Sequence, residues 1–148
     1  MNIKDIINKD CIDLDLKSTN KDDLLKELID ILYRNEIIDD RERFFKDVYI
    51  REIAGPTSVG NGIAIPHGKS KHVKEFSMSI GKVKSRVDWN DINNFTVSFI
   101  ILFAIPDMEN LNIEMKLMSN ICIKLADDYI CERLINSQKK EDIIEILS

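Results

Sequence analysis

The residues that constrain the backbone most strongly are concentrated between positions 51 and 68. This segment holds four of the five glycines, two of the three prolines and one of the two histidines. Because proline fixes φ and glycine permits left-handed backbone, such a segment forms tight turns rather than a long helix or strand. Its apolar residues 63–65 predict the end of a buried strand, which Pro66 and Gly68 are expected to stop. The pattern therefore predicts that His67 is held at a strand terminus on a constrained turn.

Length and composition indicate one globular domain. A chain of 148 residues can build a proper core, and 44% hydrophobic with 32% charged residues is typical of globular proteins. The net charge of −5 argues against a nucleic-acid partner, which would select a basic surface. The longest apolar run, residues 97–106, is too short to cross a membrane, and the first residues lack the apolar core of a signal peptide. We therefore expect a single domain over residues 1–148.

The cysteines and histidines predict neither a disulfide nor a metal site. Cys11, Cys122 and Cys131 form an odd set without a Cys-x-x-Cys pair, which favours reduced thiols in a cytoplasmic protein. His67 and His72 lie five residues apart and so do not share a helix face. Neither has a cysteine or carboxylate at zinc-ligand spacing, so we expect no metal.

Alternating helical and strand patterns predict the fold class. Strands interspersed with helices indicate an α/β single-domain sandwich, in which α-helices flank a mixed β-sheet. Asn20 is expected to cap one helix, and residues 96–105, apolar nearly throughout, predict a strand covered on both faces. The predicted helices span residues 3–8, 20–33, 40–52, 113–127, 129–136 and 139–147, and the predicted strands span residues 11–16, 62–66, 76–84 and 96–105.

Several familiar chemistries are excluded by spacing. Gly55 and Gly60 have the spacing of a phosphate-binding loop, but Asn61 and a glycine follow where Lys-Ser or Lys-Thr is required. Ser58 does not lie in a nucleophile elbow, because Pro56 occupies a position that needs glycine. The dinucleotide fingerprint is absent as well. The remaining candidate for chemistry in this segment is an imidazole.

His67 is a candidate nucleophile or general base. A neutral imidazole nitrogen attacks phosphorus readily, and the resulting phosphohistidine passes its group on again. Catalysis of phosphoryl transfer depends mainly on positioning of the reactants and on hydrogen-bond donors around the phosphoryl oxygens. The turn supplies backbone and hydroxyl donors, and Arg51 would add a planar, permanently charged fork. The alternative is that His67 is only a turn residue with a satisfied hydrogen bond.

The segment resembles a known signature. Residues 51–70, which end Gly-Asn-Gly-Ile-Ala-Ile-Pro-His-Gly-Lys-Ser, resemble the active-site signature of the fructose/mannitol-type enzyme IIA of the bacterial phosphotransferase system. Phe45 lies in a segment similar to the family's helix before the loop, and the Val-Asp-Trp at residues 87–89 resembles another family segment. Residues 99–106, the following helix and the aspartates at 127–128 resemble the downstream pattern, so the resemblance covers nearly the whole chain.

This resemblance implies roles for individual residues. His67 would be phosphorylated by phospho-HPr and would pass the phosphoryl group to a cysteine of an enzyme IIB. Enzyme IIB then phosphorylates a sugar during uptake through a membrane enzyme IIC, which this domain would serve only indirectly. Arg51 occupies the family's arginine position, and Thr57 and Asn61 fall in its loop, where they are expected to shape the pocket. The resemblance implies no cofactor and no metal, and a mixed sheet flanked by helices.

One position departs from the family. The family usually has a second histidine near the start of the long helix, and counting back from Ser119 places Glu114 there. If Glu114 faces His67, an ionised carboxylate would repel the phosphoryl dianion, or would hold the imidazole in one tautomer. The alternative is a first-turn acid, favoured by the helix dipole, that points to solvent. His72, among Lys69, Lys71 and Lys74, is interpreted as a surface residue.

Two functions of different classes are compatible with this signature. The first is a phosphocarrier in sugar uptake, favoured in its fructose form because residues 87–89 and 104–106 resemble that type. The second is a regulatory relay similar to the nitrogen-related enzyme IIA, whose phosphorylation state controls a protein partner. Both require His67, so the signature does not separate them.

Overall fold

The computed structural model describes residues 2–148 and contains a mixed β-sheet flanked by α-helices. Within these residues, no helix is both long and apolar enough to span a membrane. The fold class predicted from the sequence is confirmed. In chain order the elements are β1 (Ile12–Asp13), α1 (Lys21–Arg34), α2 (Arg41–Ala54), β2 (Ser58–Gly60), β3 (Ile63–Ala64), β4 (His67–Ser70), β5 (Ser77–Asp88), β6 (Thr96–Pro106), α3 (Asn112–Lys124), α4 (Asp128–Asn136) and α5 (Lys140–Leu147), with 3₁₀ turns at Ile3–Asp5 and Lys9–Cys11.

Strand β6 is the centre of the sheet. It pairs antiparallel with β5 and parallel with both β3 and β4, while β1 lies parallel beside β5 and β2 antiparallel beside β3. Alternate residues of β6 enter two different cores, with Leu102 and Ala104 on one face and Ile101 and Phe103 on the other. The core on the first face includes α1 and α2, and the core on the second includes α3, α4 and α5. The prediction that this strand is covered on both faces is confirmed.

The starts of α1 and α2 follow local capping signals. The side chain of Asn20 accepts a hydrogen bond from the backbone N–H of Asp23 at 2.9 Å, and Asp40 accepts one from Arg43 at 3.0 Å. Each bond satisfies one of the orphan donors of the first helical turn, which stabilises the helix at the predicted place. The helices α1 and α2 therefore begin where the sequence predicted.

Two strand predictions differ from the structure in detail. The strand predicted over residues 11–16 is only Ile12–Asp13. The apolar strand does stop before His67, since β3 ends at Ala64, but a further strand that the sequence did not predict, β4, begins at His67 and pairs with β6. Proline lacks an N–H but keeps its carbonyl. The Pro66 carbonyl accepts the Phe103 N–H at 3.0 Å, so β6 bridges the gap between β3 and β4.

Candidate functional site

The imidazole of His67 is held by a backbone carbonyl. His67 is half-buried at the first position of β4, opposite Phe103 of β6. Its Nδ1 atom lies 3.1 Å from the carbonyl oxygen of Ile65. A carbonyl oxygen can only accept, so the neutral ring carries its proton on Nδ1 and the lone pair on Nε2. This contact therefore leaves the Nε2 lone pair of the neutral ring without a partner in that bond.

The neighbouring glycine defines the face to which His67 points. A Cβ atom on Gly68 would lie 2.9 Å from Cγ2 of Val48 and 3.1 Å from Cε1 of Phe44, both on α2. Gly68 therefore lies directly against α2. Successive residues of a strand point to opposite faces, so the His67 side chain points away from α2. That opposite face of the sheet is the one on which α3 and α4 pack.

Arg51 lies in the last turn of α2 and anchors the start of the loop. Its Nη1 atom donates a hydrogen bond to the carbonyl oxygen of Gly55 at 2.7 Å. Within residues 2–148, Arg51 makes no hydrogen bond to His67. A guanidinium has five N–H donors, so this contact leaves donors for an incoming anion. The predicted role of Arg51 in binding phosphoryl oxygens stays a prediction.

Thr57 is buried and bonds inward to a carboxylate. Its hydroxyl donates to Oε1 of Glu52, and its backbone N–H donates to Oε2 at 3.3 Å. Oε2 also forms an ion pair with Nζ of Lys21 at 2.8 Å. Neither charged residue was predicted from the sequence to lie at the site. Glu52 stands beside Arg51 in the signature, which was a usable signal, whereas nothing local marks Lys21, at the start of a helix, as buried.

Asn61 lies in a left-handed turn that is tied to α4. It has φ +55°, between Gly60 at +87° and Gly62 at +80°. Asparagine tolerates this region better than most residues. Its side-chain Nδ2 donates to Oδ1 of Asp128 at 2.6 Å. The expectation that Asn61 lies in the loop agrees with this position, and its side chain fastens the loop to the first turn of α4.

Glu114 lines a cavity near the N-terminus. Its Oε2 atom is buried and has no hydrogen-bond partner within the described part of the chain, so the interpretation of a solvent-pointing acid is wrong for this atom. The cavity, of about 310 Å³, is also lined by Asp5, Glu75 and Ser77, and its lining does not include His67. The two residues are on the same side of the sheet, but this cavity does not bring them together. A role for Glu114 at His67 stays a prediction.

Comparison with known proteins identifies the family. The profile of the family described as "Phosphoenolpyruvate-dependent sugar phosphotransferase system, EIIA 2" matches residues 5–148. The chain belongs to this family. The resemblance found in the sequence is thereby confirmed, and the signature around His67 can be considered as that of an EIIA domain.

Relatives of this EIIA chain include both transport and regulatory proteins. The PTS system 2-O-alpha-mannosyl-D-glycerate-specific EIIABC component of Escherichia coli (strain K12) is 29% identical over 148 residues, which cover 99% of this chain and 22% of that protein. The chain thus spans less than a quarter of this relative. The crystal structure of nitrogen regulatory protein IIA-Ntr from Neisseria meningitidis aligns with a TM-score of 0.89 and 25% identity, covering 99% of each chain.

A further solved structure shares the fold. It is the complex of enzyme IIAMTL and phosphorylated enzyme IIBMTL from Escherichia coli, which aligns with a TM-score of 0.79 and 19% identity, covering 95% of this chain and 96% of the matched chain. This likeness places the mixed sheet and its flanking helices in a fold shared with mannitol enzyme IIA.

The second histidine and the cysteines of this EIIA chain have individual environments that differ from that of His67. No group of three or more His, Cys, Asp or Glu side chains there is placed to hold a metal ion. Nδ1 of His72 pairs with Oδ1 of Asp39 at 2.8 Å. Burial, with Asp10 adding to it, raises the pKa of the Cys11 thiol to about 11, and burial raises the pKa of Cys131 and Cys122. Thiols with raised pKa values are poor nucleophiles at neutral pH.

Proposed function

We propose that this protein is a phosphocarrier that accepts a phosphoryl group from phospho-HPr on Nε2 of His67. It then transfers the group to a cysteine of an enzyme IIB in sugar uptake, with the fructose type favoured. The single observation that carries the proposal is the contact between Nδ1 of His67 and the Ile65 carbonyl, which leaves the Nε2 lone pair for attack. Membership of the EIIA family supports the same role.

The proposed transfer balances without any further reactant. The lone pair of Nε2 attacks phosphorus, and the phosphorus–nitrogen bond of the donor phosphohistidine breaks as the new one forms. The Nδ1 proton stays in its hydrogen bond to the Ile65 carbonyl, so the phosphorylated ring carries a positive charge that offsets the phosphoryl charge. In the second half, a cysteine thiolate attacks phosphorus and neutral imidazole leaves. The reaction needs neither a metal nor a cofactor.

The surrounding loop supports this chemistry by position. Arg51 is proposed to stabilise charge on the transferring group, since its guanidinium reaches the loop at Gly55. Thr57 and Asn61 are proposed to shape the pocket, because their side chains bond to Glu52 and Asp128. These contacts turn both side chains toward the protein, which suits a role in holding the loop rather than in touching the phosphoryl group.

The proposed partners follow from the family. The mannitol complex shows that one enzyme IIA of this fold binds a phosphorylated enzyme IIB. For this chain we propose HPr as donor and an enzyme IIB as acceptor, with a membrane enzyme IIC served indirectly. We also propose a cytoplasmic location, since both proposed partners must exchange the phosphoryl group with this protein in the same compartment. We further propose one domain over residues 1–148, as the length and composition indicate. No nucleic acid is expected to bind, given the net charge of −5.

A regulatory relay is the second candidate. The TM-score of 0.89 with a nitrogen regulatory protein favours it, whereas the 29% identity with a sugar-specific component favours transport. Reaction of the phosphorylated protein with purified enzyme IIB separates the two functions. Rapid loss of the phosphoryl group to the enzyme IIB cysteine supports transport, whereas loss only by hydrolysis supports the relay.

Incubation with phosphoenolpyruvate, enzyme I and HPr tests the phosphorylation site. Wild type should gain one acid-labile phosphoryl group per chain, and His67→Ala should gain none. His72→Ala is the matched control, because His72 is the other histidine of the chain and should leave the stoichiometry unchanged. Full labelling of the His67→Ala protein would show that the proposed site is wrong.

A further inference from the structure

Hydrogen bonds that are joined through the backbone of Thr57 and of Ile65 connect the Glu52 carboxylate to the imidazole of His67. We infer that Glu52, held by Lys21, is a positioning residue that fixes the tautomer and orientation of His67 through Thr57 and Ile65. The inference deepens the proposed function, on which its kinetic part rests.

The series begins at a buried ion pair. Nζ of Lys21 lies 2.8 Å from Oε2 of Glu52, and only 10% and 3% of the two side chains are exposed. Lys21 also donates to the carbonyl oxygen of Trp89 at 3.1 Å, and its Nζ lies 5.0 Å from the centre of that ring. With these neighbours the Lys21 ammonium has little freedom, so the carboxylate that it holds is a fixed point.

The fixed carboxylate holds Thr57 by two donors. Oε1 of Glu52 accepts from the Thr57 hydroxyl, and Oε2 accepts from the Thr57 N–H at 3.3 Å. Two bonds from one residue to one carboxylate restrain both its side chain and its peptide plane. Thr57 lies just before β2, two residues after the loop leaves α2 at Gly55. The orientation of the following backbone therefore depends on Glu52.

The restraint continues to the imidazole. The carbonyl oxygen of Thr57 accepts the Ile65 N–H at 3.0 Å. The carbonyl oxygen of Ile65 in turn lies 3.1 Å from Nδ1 of His67. Because the Ile65 carbonyl can only accept, its position selects the tautomer with the proton on Nδ1. A displaced Thr57 would shift Ile65 and weaken this selection.

Stability alone is a poor reason for such an arrangement. Replacing a buried ion pair by apolar residues of similar volume is often neutral or stabilising, because the desolvation of two charges opposes their attraction. A buried Lys–Glu pair directly beneath a catalytic loop therefore indicates positioning. The carboxylate offers two acceptors in a fixed plane, which an apolar side chain would not.

The tautomer of His67 provides a test that requires no phosphoryl donor. Nitrogen NMR of the unphosphorylated protein, at about two pH units above the ordinary histidine pKa of ~6.5, reports whether Nδ1 or Nε2 carries the proton. The variants are Thr57→Val and Glu52→Gln. The matched control is Glu27→Gln. Glu27, on α1, likewise accepts from a backbone N–H and a hydroxyl, which are those of Ser18, and these bonds do not involve the loop before His67.

We expect both loop variants to show a smaller fraction of the Nδ1–H tautomer, with Glu27→Gln unchanged. Single-turnover phosphorylation by phospho-HPr should slow by about ten- to hundred-fold in the loop variants, as expected for a misplaced nucleophile, while the affinity for HPr stays constant. If Glu52→Gln fails to fold, Thr57→Val decides alone.

An unchanged tautomer ratio in folded Thr57→Val overturns the inference, and so does an equal change in the Glu27→Gln control. If wild type cannot be phosphorylated at all, the proposed function fails, but the tautomer measurement still decides the positioning role. The two failures are therefore distinguishable.

Discussion

The helices α2 and α3 pack on opposite faces of the sheet, and they are held very differently. Helix α2 begins at a capping bond in which Asp40 accepts from the Arg43 N–H, and it buries Phe44, Val48 and even Glu52. Helix α3 follows Leu111, whose side chain makes no capping bond within the described residues, and among its residues Ile121 is the buried one. The two helices therefore differ in how firmly they are attached.

The difference lies in close contact with the sheet rather than in exposed apolar residues. Both helices expose isoleucines, since Ile113 and Ile123 of α3 are 56% and 70% exposed and Ile50 and Ile53 of α2 are 66% and 69% exposed. Gly68 of β4, however, lies so close to α2 that a Cβ atom would collide with Val48. Segments with few buried contacts open at lower free energy than segments in the core. The comparison teaches that β4, which begins at His67, is fixed by close packing on α2, whereas α3 buries fewer residues and is freer to adapt.

The largest expected effect is on the buried ion pair beneath α2. Lys21→Met removes the cation and leaves the Glu52 carboxylate buried without its partner, so the free energy of unfolding should fall by about 3–5 kcal/mol. Urea denaturation measures the loss. Lys9→Met is the control, because the Lys9–Glu141 pair is exposed at 2.9 Å and should contribute little. Equal losses in both variants would contradict the expectation that breaking the buried pair costs more stability than breaking the exposed pair.

The next effect concerns the C-terminal end of α2. Arg51→Lys keeps the charge but loses the planar fork, so the barrier to phosphoryl transfer should rise by about 2–4 kcal/mol. Single-turnover transfer from phospho-HPr measures the rate, with Arg43→Lys, on the exposed part of the same helix, as control. If Arg51 acts only by bonding to Gly55, stability will fall while the rate stays constant.

A smaller effect should follow from the close approach of β4 to α2. Gly68→Ala places a Cβ atom 2.9 Å from Val48, so overpacking should reduce stability by about 1–3 kcal/mol. Gly55→Ala is the control, because Gly55 has an extended φ of 165° and no atom within 4 Å of its added Cβ. Thermal unfolding compares the two variants. A harmless Gly68→Ala would mean that α2 yields as readily as we expect of α3.

The smallest effect concerns the α3 side. If Glu114 reaches His67 when the site is phosphorylated, Glu114→His should lengthen the half-life of the phosphohistidine by a few-fold, and Glu114→Gln should do so partially. The reason is that a histidine can donate to phosphoryl oxygens, whereas a carboxylate repels them. Hydrolysis of the labelled protein between about pH 5 and 8 measures the half-life. Identical half-lives in all three proteins would show that Glu114 has no effect on the phosphohistidine at His67.

Features that depend on neighbours in sequence were predictable. The caps at Asn20 and Asp40 act within three residues, and α1 and α2 begin there as predicted. The apolar run of β6 was sufficient to predict a strand covered on both faces, because burial of both faces requires apolar residues at every position. The signature around His67 likewise identified the family from one continuous segment.

Features that depend on distant partners were not predictable. Pairing with β6 makes His67 the first residue of a strand, although Pro66 precedes it, because Phe103 supplies the missing continuity. Glu114 was placed correctly on a helix, but its cavity is formed with residues of the N-terminal segment and β5. No pattern within α3 contains that information.

The sequence by itself determined α1 to α5, the central strand and the family, because each of these is recorded in a short run of residues, whereas the helix predicted over residues 3–8 is only a 3₁₀ turn at Ile3–Asp5. Only the tertiary structure decided that Lys21 and Glu52, 31 positions apart, meet in the interior, and that Nδ1 of His67 faces a carbonyl. The physical reason is that lysine and glutamate are ordinarily surface residues. Their burial becomes favourable only when the fold supplies each charge with a partner.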